Sequence, residues 1–194
     1  MQWLIVGLTV FLGVHSVSIV ARGWRDRMVL SLGELPWKGP YTVASLAGFA
    51  LLVMGYGLAR QDPVVLYSPP AWTRHLMMLL MLPMFPMLLS AHLPGRIKTA
   101  LKHPMLAATK LWAVAHLLAN GGLHDVLLFG GFLVWAVADR IAVKKRAGGD
   151  APPAVGPARN DVIAVVAGLA LYALFVAWAH GALIGVPLLP GGQP

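Results

Sequence analysis

The chain has 194 residues, of which 58% are hydrophobic and only 11% charged, against about 25% charged in a domain whose surface faces water. Most of its surface must therefore meet lipid, and a mean hydropathy of +0.74 agrees. The net charge of +8 lies in short blocks between long apolar runs, the pattern of membrane loops and not of a nucleic-acid interface. No cysteine is present, which excludes disulfides, thiolate metal sites and a cysteine nucleophile.

A helix needs about 20 apolar residues to cross a hydrocarbon core ~30 Å thick. Six stretches meet or approach that length: roughly 2–21, 40–60, 72–93, 104–120, 123–143 and 162–183. The expected fold is an all-α polytopic membrane bundle of about six transmembrane helices, a five-helix core plus a C-terminal helix. The first run has no Lys or Arg before Arg22 and is too long for a signal-peptide h-region, so it reads as a retained helix. Pro83 and Pro86 lie inside the third helix and should kink it. Asn120-Gly121-Gly122 breaks the chain between the fourth and fifth helices, which predicts a tight helical hairpin.

Twelve of the 15 basic residues fall in the alternate segments 22–39, 94–103 and 140–161. The positive-inside rule puts these segments in the cytoplasm and both termini outside. The expected localisation is the bacterial inner (cytoplasmic) membrane, in a multi-pass arrangement. Residues 1–146 read as the bundle, 147–161 as a flexible cytoplasmic linker rich in Gly, Ala and Pro, and 162–194 as an accessory transmembrane helix and tail. The Pro/Gly-rich stretch 185–194 is expected to be poorly ordered.

Polar residues inside a bilayer are costly and point to function. His15 lies four turns into the first helix, about 9 Å short of its cytoplasmic end. His116 lies about 18 Å into the fourth helix, with Trp112 one turn before it and Ala113, a small residue that leaves room for a flat macrocycle. The two depths fall within ~10 Å of each other on antiparallel helices. Two neutral imidazoles so placed can ligate a haem iron from opposite faces; the competing reading is interhelical hydrogen bonding. Propionates would need cations, for which Arg22 is the first candidate, with Arg25 and Lys38 nearby. His75, His124 and His180 lie at helix ends on the outer side and read as interfacial; His92 and His103 lie at cytoplasmic ends and read as structural.

Other chemistry is thin. Met77, Met78, Met81, Met84 and Met87, bracketed by His75 and His92, could bind Cu(I), but a gap-filling methionine stripe is the more usual reading. Carboxylates are scarce: only Asp125 and Asp139 lie within the apolar helices. No paired-carboxylate, Ser-His-Asp or phosphate-loop arrangement is present, so hydrolase chemistry is not supported.

Several stretches carry a resemblance: residues 11–16 (Phe-Leu-Gly-Val-His-Ser), 39–46, 70–72, 93–98, 103–105, 110–121 and 135–140. With these the chain resembles the NnrU family of bacterial membrane proteins, over roughly residues 1–146. That family is associated with nitrite and nitric oxide metabolism in denitrification. It is similar in turn to the plant zeta-carotene cis–trans isomerases, membrane haem b enzymes whose ligand motifs match His15-Ser16 and Trp112-Ala113-Val114-Ala115-His116. The resemblance thus implies haem b ligated through iron by His15 and His116, with Trp112 at the cofactor beside Arg22, the cation that position suggests. Ala113 stands where the isomerase has a cysteine, so a cysteine-ligated state is excluded. His103-Pro104-Met105 echoes membrane methyltransferases that use S-adenosylmethionine, but no Glu follows Glu34 to complete their motif. Three roles stand open: a haem-dependent isomerase or redox protein acting on a polyene or nitric oxide; a non-catalytic haem sensor, electron carrier or assembly factor; and a membrane scaffold with no cofactor, with the methyltransferase less favoured than any of them.

Overall fold

The computed structural model describes residues 1–146 and 155–189. They form an all-α membrane protein, with a single isolated bridge, Val65 to Gly122, as the only extended pairing among them. The helices are α1 (Gln2–Val20), α2 (Arg22–Leu32), α3 (Glu34–Ala59), α4 (Trp72–Met81), α5 (Met84–Ser90), α6 (Arg96–Leu101), α7 (Pro104–Ala119), α8 (Leu123–Arg146), α9 (Ala158–Leu174) and α10 (His180–Ile184). A π turn over Phe175–Ala179 joins the last two. Five helical stretches among the described residues are long and apolar enough to cross a bilayer: Gln2–Val20, Glu34–Ala59, Trp72–Ser90, Leu123–Arg146 and Ala158–Ile184. The sixth, α7, has 16 residues and spans about 24 Å. Large apolar side chains such as Leu46, Val134 and Val166 stand exposed along these helices, as a lipid-facing surface requires.

Three local departures from the sequence reading have clear causes. The segment 22–39 is not a loop: α2 and the first turns of α3 occupy it, because Pro40 sits inside α3 without ending it. The kink expected in the third span is a break between α4 and α5 at Leu82–Pro83, where proline has no N–H to offer. The expected linker 147–161 lies outside the described residues for 147–154, and its last residues already belong to α9, which starts at Ala158. Of the C-terminal tail, residues 190–194 lie outside the described residues.

The chain divides into two compact units, Met1–Pro69 with Asn120–Gly148 and Pro70–Ala119 with Gly149–Pro194. In the first unit α1 and α3 run antiparallel at backbone contact, through Leu4 on Gly55, Gly7 on Leu52 and Phe11 on Gly48. A Cβ at Gly48 would stand 2.8 Å from the Phe11 nitrogen. Lipid tails are as apolar as leucine, so helices in a membrane gain by packing closely, and small residues permit it. α8 lies along α1, with Phe132 against Phe11 and Trp135 against His15. The Gly121-Gly122 break serves a local purpose: the Gly121 carbonyl accepts the N–H groups of Leu66 and Tyr67, and Val64 accepts that of Leu123.

In the second unit Met77, Met81 and Ala115 form the core, with Met78, Met84, Trp112 and Tyr172 packed on it. The methionines thus fill space between helices, the role unbranched flexible side chains suit. The final span packs here and does not stand apart. Gly168 of α9 meets Pro86 of α5, and the Tyr172 hydroxyl donates to the Met78 carbonyl at 2.8 Å. At its start, Asp161 accepts the N–H groups of Arg96 and Ile97 at 2.9 and 3.0 Å, satisfying two orphan donors of α6. We expect Asp161→Ala to lower stability by about 1 kcal/mol, read as a lower unfolding midpoint; an unchanged midpoint would show that this cap contributes nothing.

Candidate functional site

His15 lies on the α1 face turned toward α3 and α8. Its Nδ1 is 2.7 Å from the Phe11 carbonyl oxygen. A carbonyl can only accept, so Nδ1 carries the proton and Nε2 is the basic nitrogen, the form in which a histidine ligates a metal. The ring is held by aromatic neighbours: Phe11 stacks on it at 4.3 Å, Tyr41 lies at 5.4 Å and Trp135 meets it edge-on at 6.1 Å. The buried Nε1–H of Trp135 has no acceptor among the described residues.

Beside His15 opens a cavity of about 730 Å³, within the size range of cofactor sites. Val14, Val17, Trp37 and Val143 supply apolar wall. Arg22, Arg25, Lys38 and Arg146 supply four cations against Glu34 and Asp139. Arg22, Arg25 and Lys38, the cations singled out in the sequence, line the same cavity as His15. These cations are engaged with local acids: Lys38 with Glu34 at 2.8 Å, Arg25 and Arg22 with Asp26 at 2.8 and 3.4 Å, Arg146 with Asp139 at 3.4 Å. The hydrogen bond from Arg25, with the charges of Arg22 and Arg25, holds the Asp26 carboxyl below its usual range. The pairs of Arg22, Arg25 and Lys38 are exposed and therefore weak, so a ligand carboxylate can compete for these three cations. Arg146 also donates to the Ser18 carbonyl at 2.7 Å, capping an otherwise orphaned acceptor at the end of α1.

His116 belongs to the other unit. It repeats the His15 geometry: Nδ1 is 2.8 Å from the Trp112 carbonyl oxygen, so the same tautomer is selected. Trp112 lies 5.5 Å from it, ring to ring, and also packs on the methionine core. Ala113 is 0% exposed. Among the described residues, no group of three or more His, Asp or Glu side chains could hold a metal ion.

A buried polar cluster at the other end of the first unit escaped the sequence reading. His124, read as interfacial, is buried, as is Asp125. The Tyr56 hydroxyl donates to Asp125 Oδ1 at 2.6 Å, and the Gly122 N–H to Oδ2 at 2.9 Å. His124 Nε2 lies 3.5 Å from the same carboxylate, and its ring meets Tyr56 edge-on at 5.3 Å. The only hint was a carboxylate three residues past Gly122. Asp125→Ala strands the Tyr56 hydroxyl and the Gly122 N–H, so a loss of about 2–4 kcal/mol is expected, read in the same unfolding measurement; a loss under ~0.5 kcal/mol would mean that water reaches both groups.

The remaining histidines show no shared site. His75 and His92 are exposed, and His103 is half-buried beside Pro104. His180 Nδ1 bonds the Val186 carbonyl at 2.6 Å.

Comparison with known proteins gives one family. The NnrU protein family matches residues 3–188, nearly the whole chain. The match runs past the last motif recognised in the sequence, at Arg140, and takes in the final span. No curated protein and no solved structure matches the chain. The motifs around His15 and His116, the membrane-spanning helices and the extent of this match together establish that the chain belongs to the NnrU family.

Proposed function

We propose that this NnrU-family protein binds haem b in the bacterial inner membrane, with His15 and His116 as axial ligands, and serves nitrite and nitric oxide metabolism. One observation carries the reading: each of the two histidines singled out by depth and by motif donates Nδ1–H to the carbonyl one turn back, which presents Nε2 as the ligating atom. The donor set suits ferrous or ferric iron, for which imidazole is a good ligand. Around His15, Phe11, Tyr41 and Trp135 fix the ring plane, while Arg22, Arg25 and Lys38 offer the charge that propionates need. Trp112 acts through its carbonyl, orienting His116. Bound haem would supply a redox-active iron able to take nitric oxide.

A role as haem sensor, electron carrier or assembly factor is favoured over polyene isomerisation by Ala113, since the thiol of the isomerase motif has no counterpart anywhere in this chain. The test is the visible spectrum of the purified full chain. A Soret band of six-coordinate haem is the expected result, and a colourless protein that takes up no added haemin would end the proposal. Turnover of a cis-polyene by the reduced protein would favour the isomerase reading instead.

A further inference from the structure

Helix α2 is separated from α1 by the single residue Ala21 and from α3 by the single residue Gly33, the latter at φ +92°. Those two connections hold it where two spans end. With 26 residues, α3 is about 39 Å long, close to the 40–45 Å of a bilayer with its headgroups. Its apolar run starts only at Pro40, so its first turns, with Glu34 and Lys38, stand in the headgroup layer. α2 is joined to them at that depth, and Trp24 of α2 packs on Trp37 of α3 at 5.4 Å.

The composition of α2 matches that position. It carries Arg22, Arg25 and Arg27 against one acid, Asp26. Asp26 engages Arg22 and Arg25, and a single carboxylate cannot neutralise both. Arg27 makes no ion pair or hydrogen bond among the described residues and is exposed. Leu30, one turn on along the same face, is 86% exposed, and Trp24, one turn back, is 45% exposed. An unpartnered cation between a tryptophan and a leucine suits one environment: the boundary between phosphate headgroups and acyl chains.

We infer that α2 is an interfacial anchor whose outer face docks the headgroup of an anionic phospholipid, Arg27 meeting the phosphate while Trp24 and Leu30 enter the acyl boundary. The net positive charge of the helix selects anionic over zwitterionic lipid. Because Arg22 and Arg25 line the cavity beside His15 as well as belonging to α2, the lipid composition of the leaflet then bears on that cavity. The docking itself requires no cofactor.

The absence of cysteine makes the test direct. Leu30→Cys in the full chain gives a single site for a nitroxide label, at a position too exposed to disturb the fold. The labelled protein is reconstituted in phosphatidylcholine vesicles with and without phosphatidylglycerol. Collision with oxygen is compared with collision with a water-soluble nickel chelate. The expected result is a label that moves toward the acyl chains when phosphatidylglycerol is present. Adding Arg27→Gln should weaken that response about fivefold, the effect of one cation near an anionic surface. As a second readout, phosphatidylglycerol should raise the unfolding midpoint of the unlabelled protein, and less so with Arg27→Gln. A label equally deep in both vesicles overturns the inference in favour of purely apolar anchoring. A label in water in both overturns it in favour of a face kept for an acidic protein.

Discussion

Protein carrying His15→Ala will be purified with its Soret absorbance lost, and His116→Ala will do the same if both are axial ligands. The expectation rests on how each imidazole is held. His15 is locked by the Phe11 carbonyl and three aromatic rings, and no other histidine lines its cavity. Alanine leaves an imidazole-sized gap, so added free imidazole should restore part of the band to the His15→Ala protein. Arg22→Gln should act more gently. Arg22 is an exposed residue paired with Asp26, and the contribution of such a group is about 1 kcal/mol or less. Haem should therefore bind with reduced affinity but an unchanged ligand spectrum. Tyr56→Phe, in the cluster around Asp125, should leave the spectrum as it is. An intact band in both histidine variants would exclude these ligands and leave the family membership untouched.

Gly55→Leu should unfold the first unit, whereas Gly57→Ala two residues away should be harmless. At Gly55 an added Cβ falls onto the Leu4 and Trp3 backbone. Backbone cannot rotate aside as a side-chain tip can, so α1 would have to leave α3. Overpacking of a well-filled core costs about 1–3 kcal/mol; here the loss should reach or exceed about 3 kcal/mol. At Gly57 nothing lies within 4 Å. There alanine relieves the entropy cost of a helical glycine and should stabilise by about 0.5–1 kcal/mol. Unfolding midpoints of the two variants in the same detergent decide the matter. Equal midpoints would mean that the α1–α3 approach is looser than these distances state.

Much of the architecture was legible in the chain because hydrophobic length is a one-dimensional property. Six apolar runs read as six spans, and five of them are long enough in the structure, with α7 short. Pro83 marked a disturbance of the third span, read as a kink and found as a break between α4 and α5, because a missing N–H acts locally. The segment 22–39 misled: its charge looked like a loop, yet it folds into helix α2 and the first turns of α3. His124 misled in the same way. Its place near a helix start suggested the interface, and only the fold back of Tyr56 and the Gly121-Gly122 turn buried it. The last span had no motif to link it to the rest, and its packing on α5 depends on Gly168 meeting Pro86, a contact 82 residues apart in sequence.

Composition and pattern alone thus point to a chain that lives in lipid and to where its apolar spans lie, since both follow from residue type and local spacing. What needed three dimensions was the use made of those residues. The tautomer of His15 and His116 depends on a carbonyl within hydrogen-bond reach, the charge around His15 on side chains brought from α2, α3 and α8, and the burial of Asp125 on Tyr56, 69 residues away. Non-local contacts of this kind have no trace in sequence order, because they depend on which helix surfaces approach one another and how closely small residues let them come.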